Sequence, residues 1–144
     1  MRGNQWILLR GEAELLRKIR HDNIVRCLFT TEIPKRRLVF EYMPLGTLQY
    51  QAWKQPITSA ENIEVLTQAL AALRFLHGQE KPIAHREVKP DNILVCSRDP
   101  LHIKLADFGI SKKKQQNLRT YTGTDRYMAP EIMFQRPYSE IVDI

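Results

Sequence analysis

The sequence predicts an α+β fold, and three observations carry that expectation. A capping box, Thr58 with Glu61 three residues later, opens a run in which Ile63, Leu66, Leu70 and Leu73 recur at helical spacing, and Gly78 lies just past its end. Two short apolar runs, Ile93-Leu94-Val95 and Leu101 to Leu105, flank the turn-forming Ser97-Arg98-Asp99-Pro100 and read as a hairpin. Upstream, Leu38 to Tyr42 is rich in aromatic and branched residues and reads as a strand, which Pro44 and Gly46 then break.

Taken in chain order, the first element is a short helix over 12–20. Leu15, Leu16 and Ile19 fall at i, i+1 and i+4, and good helix formers fill the rest. The strand over 38–42 follows, then the broken segment 43–48. The capped helix comes next, and its Ile63–Leu73 stripe is expected to face the core. The hairpin of 93–95 and 101–105 completes the regular structure. No internal repeat or low-complexity segment interrupts it.

Composition bounds the class. The chain has 144 residues, enough for one ordinary domain with a real core. Apolar content of 43% and charged content of 26% are those of a globular domain, and the run Trp6-Ile7-Leu8-Leu9 is too short to span a membrane or to form a signal-peptide core. Membrane insertion is therefore not expected. Two cysteines, Cys27 and Cys96, cannot build a disulfide framework and fit a reducing compartment, so the expectation is intracellular, cytoplasm or nucleus. The four histidines show no metal-ligand spacing. The net charge of +6 is dispersed, apart from Lys35-Arg36-Arg37 and Lys112-Lys113-Lys114. Short basic clusters without interleaved aromatics are solvated loops, and nucleic acid is not expected as a partner.

The chemistry lies in three motifs. His85-Arg86-Glu87-Val88-Lys89-Pro90-Asp91-Asn92 is followed by Asp107-Phe108-Gly109 and then by Ala129-Pro130-Glu131. The order and spacing, with Asn92 five positions after Glu87, resemble the catalytic loop, metal-binding motif and activation-segment end of a eukaryotic-type serine/threonine protein kinase. The resemblance implies a partial kinase fold. Residues 1–42 would be the end of the small lobe with its regulatory helix, 43–48 the hinge, and 49–144 the large lobe through the activation segment. It further implies ATP and Mg²⁺ as cofactors, and a protein as substrate or partner.

The same resemblance assigns roles. Glu87 stands at the position of the catalytic aspartate, Lys89 resembles the lysine on the γ-phosphate, and Thr124 resembles the threonine that supports both. Lys89 and Thr124 are typical of the serine/threonine branch. Asn92 and Asp107 offer hard oxygen ligands that suit Mg²⁺. In the nucleotide site, Glu12 would pair with the phosphate-binding lysine and Phe40 would be the gatekeeper. Glu41 and Met43 would give backbone contacts to adenine, with Leu94 also in the nucleotide-binding set. Arg86 would grip a phosphate placed on Thr120 or Thr122. Asp143, in Tyr138 to Ile144, resembles the aspartate that anchors this region.

Three departures temper the expectation of activity. Glu87 keeps a carboxylate but adds a methylene, moving the charge by about 1 Å, a misplacement that can cost on the order of 10²-fold in rate. No glycine-rich loop occurs before residue 12, and residues 1–11 contain no lysine. The run at 138–144 stops short of the rest of a large lobe. The expectation is that this chain alone does not catalyse, being either a clipped kinase or a pseudokinase-like interaction module. Part of the Ile63–Leu73 stripe is then expected to be exposed and to lower solubility.

Overall fold

The Thr58 hydroxyl accepts from the Glu61 N–H at 3.1 Å and the Glu61 carboxylate accepts from the Thr58 N–H at 2.8 Å, so the long helix opens on the expected capping box. These bonds belong to a computed structural model that describes residues 16–31, 37–107, 127, 129–134 and 139–143. Strands β1 (Cys27–Thr31) and β2 (Arg37–Phe40) form an antiparallel pair, with a bulge between Cys27 and Phe29. Helices α1 (Leu48–Lys54) and α2 (Ser59–His77) follow. A 3-10 turn at Pro90–Asn92 leads into the antiparallel hairpin β3 (Ile93–Arg98) and β4 (Leu101–Leu105). Short helix α3 (Pro130–Met133) and a 3-10 turn at Glu140–Asp143 complete the described elements.

The core forms where α2 lies on the hairpin. Leu76, Ile83, Val95, Ile103 and Leu105 are fully buried there, and Ile24 and Cys27 extend the same cluster toward β1. Ala69 and Ala72 on α2 are buried too, and their small side chains let the helix approach the strand closely. Polar groups close the outer edge of β4. Gln68 of α2 donates to the Leu101 carbonyl at 2.8 Å and accepts from the Ile103 N–H at 2.9 Å. Asn23 donates to the Ile103 carbonyl at 3.0 Å, and the backbone of Asn23 and Val25 takes both groups of Leu105 at 2.9 Å. An edge strand that would otherwise offer free backbone groups is thereby satisfied.

Several expectations need correction. Of the helical stripe, only Leu73 faces the core; Ile63, Leu66 and Leu70 are 66%, 61% and 50% exposed. The buried face is Val65, Ala69, Ala72, Leu73 and Leu76, because Gln68 and the two alanines turn that side to the hairpin. The strand over 38–42 ends at Phe40 and leaves Tyr42 exposed, since the chain there turns toward Gly46, whose φ of +71° glycine adopts readily. Ser97 and Arg98 belong to β3, opposite His102 and Leu101, and not to the turn. Of the expected helix over 12–20, residues 16–18 are helical, 19 and 20 are not, and 12–15 lie outside the described residues. Helix α1 was not expected; the Thr47 side chain caps it by accepting from the Tyr50 N–H at 3.1 Å. Gly78 does cap α2, but with φ −79°; a side chain there would press its Cβ to 3.1 Å from the Arg74 carbonyl.

Candidate active site

The loop 85–92 is held by hydrogen bonds to its backbone. Asp143, with a fully buried side chain, accepts from the His85 N–H at 2.6 Å and the Arg86 N–H at 2.5 Å. His77 of α2 meets the same carboxylate at 2.8 Å. His85 itself is buried, its Nε2 bonded to the Ala106 carbonyl at 3.0 Å and its Nδ1 accepting from the Glu87 N–H at 3.3 Å. A carbonyl can only accept, so Nε2 carries the proton and Nδ1 is bare. Burial pushes the His85 pKa below its ordinary value, against the opposing pull of Asp143, which agrees with that neutral tautomer.

Asn92 connects the loop to the segment that leads into Asp107. It is buried, and its side-chain N–H donates to the Glu87 carbonyl at 2.9 Å. Its backbone carbonyl accepts from the Ala106 N–H at 2.8 Å, immediately before Asp107. With its amide nitrogen committed to Glu87, Asn92 has its side-chain oxygen left for a cation. Asp107 is exposed, with φ +56°, and Arg86 has φ +70°; both lie in the left-handed region where non-glycine residues concentrate at functional sites. Among the described residues no group of three or more His, Cys, Asp or Glu could hold a metal by itself. One carboxylate and one amide oxygen nevertheless fit Mg²⁺, which takes few protein ligands and completes its shell with water and substrate phosphates. Glu87 and Lys89 are half-buried, and the Lys89 carbonyl accepts from the Asn92 N–H at 2.9 Å.

The segment after β2 docks on the hairpin. The Gly46 carbonyl accepts from the Val95 N–H at 2.9 Å, and Thr47 bridges Leu94, so Leu94 lies on the strand beneath the segment and two residues from Asn92. Met43 receives a 3.4 Å contact from the Cys96 thiol, whose pKa is pushed up by burial. Among the described residues the Glu41 carbonyl and the Met43 N–H have no hydrogen-bond partner. Phe40, at the end of β2, is 40% exposed. The Glu41 carboxylate accepts from Lys104 at 2.6 Å and from the Arg26 N–H at 2.8 Å. Burial works against its charge, but these two donors prevail and hold its pKa below the ordinary carboxylate value.

Asn92 thus bonds Glu87 on one side and Ala106, the residue before Asp107, on the other, while Met43 and Leu94 lie by β3 and Glu41 is tied to Lys104 of β4. Glu12, Thr120, Thr122 and Thr124 lie outside the described residues. The sequence reading missed Lys104 and His77. Neither belongs to a motif, and their partners are 63 and 66 residues away.

Comparison with known proteins agrees with this geometry. The family model described as "Protein kinase domain" matches residues 2–144. Serine/threonine-protein kinase VIK of Arabidopsis thaliana is 37% identical over 94% of this chain and 33% of its own length. Calcium/calmodulin-dependent protein kinase type 1 of Caenorhabditis briggsae is 36% identical over 94% of this chain and 39% of its own length. The crystal structure of Rad53 1-466 in complex with AMP-PNP superposes with a TM-score of 0.73 at 31% identity, covering 89% of this chain and 32% of that one. The chain belongs to the protein kinase family, in its eukaryotic-type serine/threonine branch. It spans about a third of the length of these relatives.

Proposed function

We propose that this chain carries part of the machinery for transferring the γ-phosphoryl group of ATP to serine or threonine hydroxyls of proteins, inside the cell, and that Glu87 limits it. The observation that supports this best is the Asn92 amide bonded to the Glu87 carbonyl, which ties the loop's carboxylate residue to a metal-ligand candidate. Asn92 and Asp107 would hold Mg²⁺, which when bound neutralises charge on the transferring phosphoryl group. Glu41 and Met43 would offer backbone groups to adenine over Leu94, with Phe40 at the rear and Glu12 toward the phosphates. Lys89 and Thr124 would steady the γ-phosphate and the Glu87 carboxylate. Arg86 would grip a phosphate carried on Thr120 or Thr122. Residues 1–42, 43–48 and 49–144 would serve as small-lobe part, hinge and large-lobe part.

Glu87 has the right charge on a longer arm, so the 144-residue chain is expected to be inactive by itself. That residue also supports a second reading, a pseudokinase-like scaffold that binds a protein partner without catalysis. A chimera supplying the glycine-rich strand and lysine of an active relative separates the two. In it, Glu87→Asp should raise phosphoryl transfer at least about tenfold, the order expected for restoring a misplaced group. Equal rates, with ATP still bound, would leave the scaffold reading standing.

A further inference from the structure

We infer that the Glu41 side chain is a positioning clasp, which fixes the segment after β2 against β4 through Lys104 and against β1 through Arg26. The chain crosses between the two sheets twice, once at 25–27 on the way into β1 and once at 40–43 on the way out of β2. The first crossing begins alongside β4, where Ile24 bridges Leu105 in parallel and the Val25 N–H donates to the Leu105 carbonyl at 2.9 Å. At the next residue that contact ends, and Arg26 is exposed.

Glu41 takes over at that point. Its N–H donates to the Arg26 carbonyl at 3.0 Å, and its Oε1 accepts from the Arg26 N–H at 2.8 Å. The two crossings are therefore closed into a ring, in which Arg26 uses both of its backbone groups and Glu41 its N–H and its carboxylate. The same Oε1 accepts from Lys104 Nζ at 2.6 Å, with the two side chains only 15% and 24% exposed. Lys104 stands opposite Leu94 in the hairpin register and three residues before Asp107. One carboxylate oxygen thus joins the β1 approach, the inter-sheet segment and the strand that leads to Asp107. Because the bonds are charge-assisted and half-buried, they are stronger than an ordinary surface pair. The orientation of the peptide groups at 41–43 relative to β4 follows from them.

Only the nucleotide readout of this inference rests on the proposed function. The experiment measures amide hydrogen exchange and residual dipolar couplings on the full 144-residue chain, with Glu41→Gln, Glu41→Ala and Lys104→Met. In Glu41→Ala the Arg26 amide should exchange at least about tenfold faster while the Val25 and Leu105 amides keep their protection, the pattern of a local opening. Lys104→Met should speed Arg26 exchange by about threefold or more although it removes no bond to that amide. Couplings of the amides of residues 41–43, 45 and 46 should no longer fit the β3–β4 frame in either variant, and Glu41→Gln should lie between them and wild type. Unchanged Arg26 exchange in Lys104→Met, or couplings that still fit, would overturn the clasp. A uniform loss of protection across β3 and β4 would also overturn it, showing a general structural role. Adenosine titration is the separate arm. A wild-type chain that keeps the clasp yet shows no Met43 shift would count against the nucleotide site alone.

Discussion

The buried Asn92 side chain donates to the backbone carbonyl of Glu87 at 2.9 Å, so the peptide group of the loop's carboxylate residue is fixed by a side chain five positions later. Asn92→Ala should leave that carbonyl without its donor and destabilise the fold by about 1–3 kcal/mol in chemical denaturation. Asn92→Asp should cost at least as much, because an acceptor would then face an acceptor. An Asp variant as stable as wild type would mean that the loop does not depend on this bond.

His85 makes stability depend on pH in a definite direction. Burial lowers its pKa in the folded chain from the ordinary value of 6.5, so the unfolded chain binds the proton more readily. Its contribution is fully present above 6.5 and is lost as pH falls below that value toward the folded pKa. Protonation would also add a hydrogen to Nδ1, which now accepts from the Glu87 N–H. Urea midpoints measured from pH 7.5 downward should therefore fall, and His85→Gln should flatten the fall while preserving a donor for the Ala106 carbonyl. Parallel profiles for the two proteins would assign the acid sensitivity to another group.

The start of α2 titrates lower. Hydrogen bonding from Arg98 first, then from the Thr58 N–H, holds the Glu61 pKa at about 2 in place of 4.5. A depressed carboxylate stabilises above its unfolded pKa and loses that effect as pH falls from 4.5 toward about 2. Thr58→Ala should cost about 1 kcal/mol at neutral pH, the usual worth of an N-cap. Arg98→Met should weaken the dependence on pH between those limits without moving the helix start. Helical content that is unaltered in Thr58→Ala, with an unaltered melting temperature, would show that tertiary packing alone fixes this end.

What could be read from the sequence was local. The capping box of Thr58 and Glu61, the end at Gly78 and the hairpin around Asp99-Pro100 each depend on residues within a few positions of one another. The motif residues Glu87, Asn92 and Asp107 were likewise recognisable from spacing; in the fold Asn92 bonds the Glu87 carbonyl and the N–H of Ala106, next to Asp107. The Glu41–Lys104 pair was not legible, since nothing marks a lysine on one strand as the partner of a glutamate 63 residues earlier. Helix α1 was hidden because it is only seven residues long and its apolar residues do not share a buried face, Leu48 being buried while Trp53 is 81% exposed. The buried face of α2 was misread for a different reason. Its apolar residues nearly encircle the helix, so periodicity admits two adjacent faces, and the choice is made by the small Ala69 and Ala72 against β4.

That choice leaves Ile63, Leu66 and Leu70 together on the outer side of α2, at i, i+3 and i+7. Three large aliphatic side chains half or more exposed on one helix face form the kind of contiguous apolar surface that drives association. Leu66→Glu places a charge at its centre without touching the core, since Val65 and Ala69 carry the packing. The helix should tolerate it, glutamate being a good helix former. The variant should remain soluble at concentrations where the wild-type chain sediments as larger species, with a melting temperature changed by little. Leu73→Glu, on the buried side, should instead unfold the chain, because an unpaired charge there would lie against the hairpin. If Leu66→Glu sediments as wild type does, the association surface lies elsewhere on the chain, and the outer face of α2 is inert.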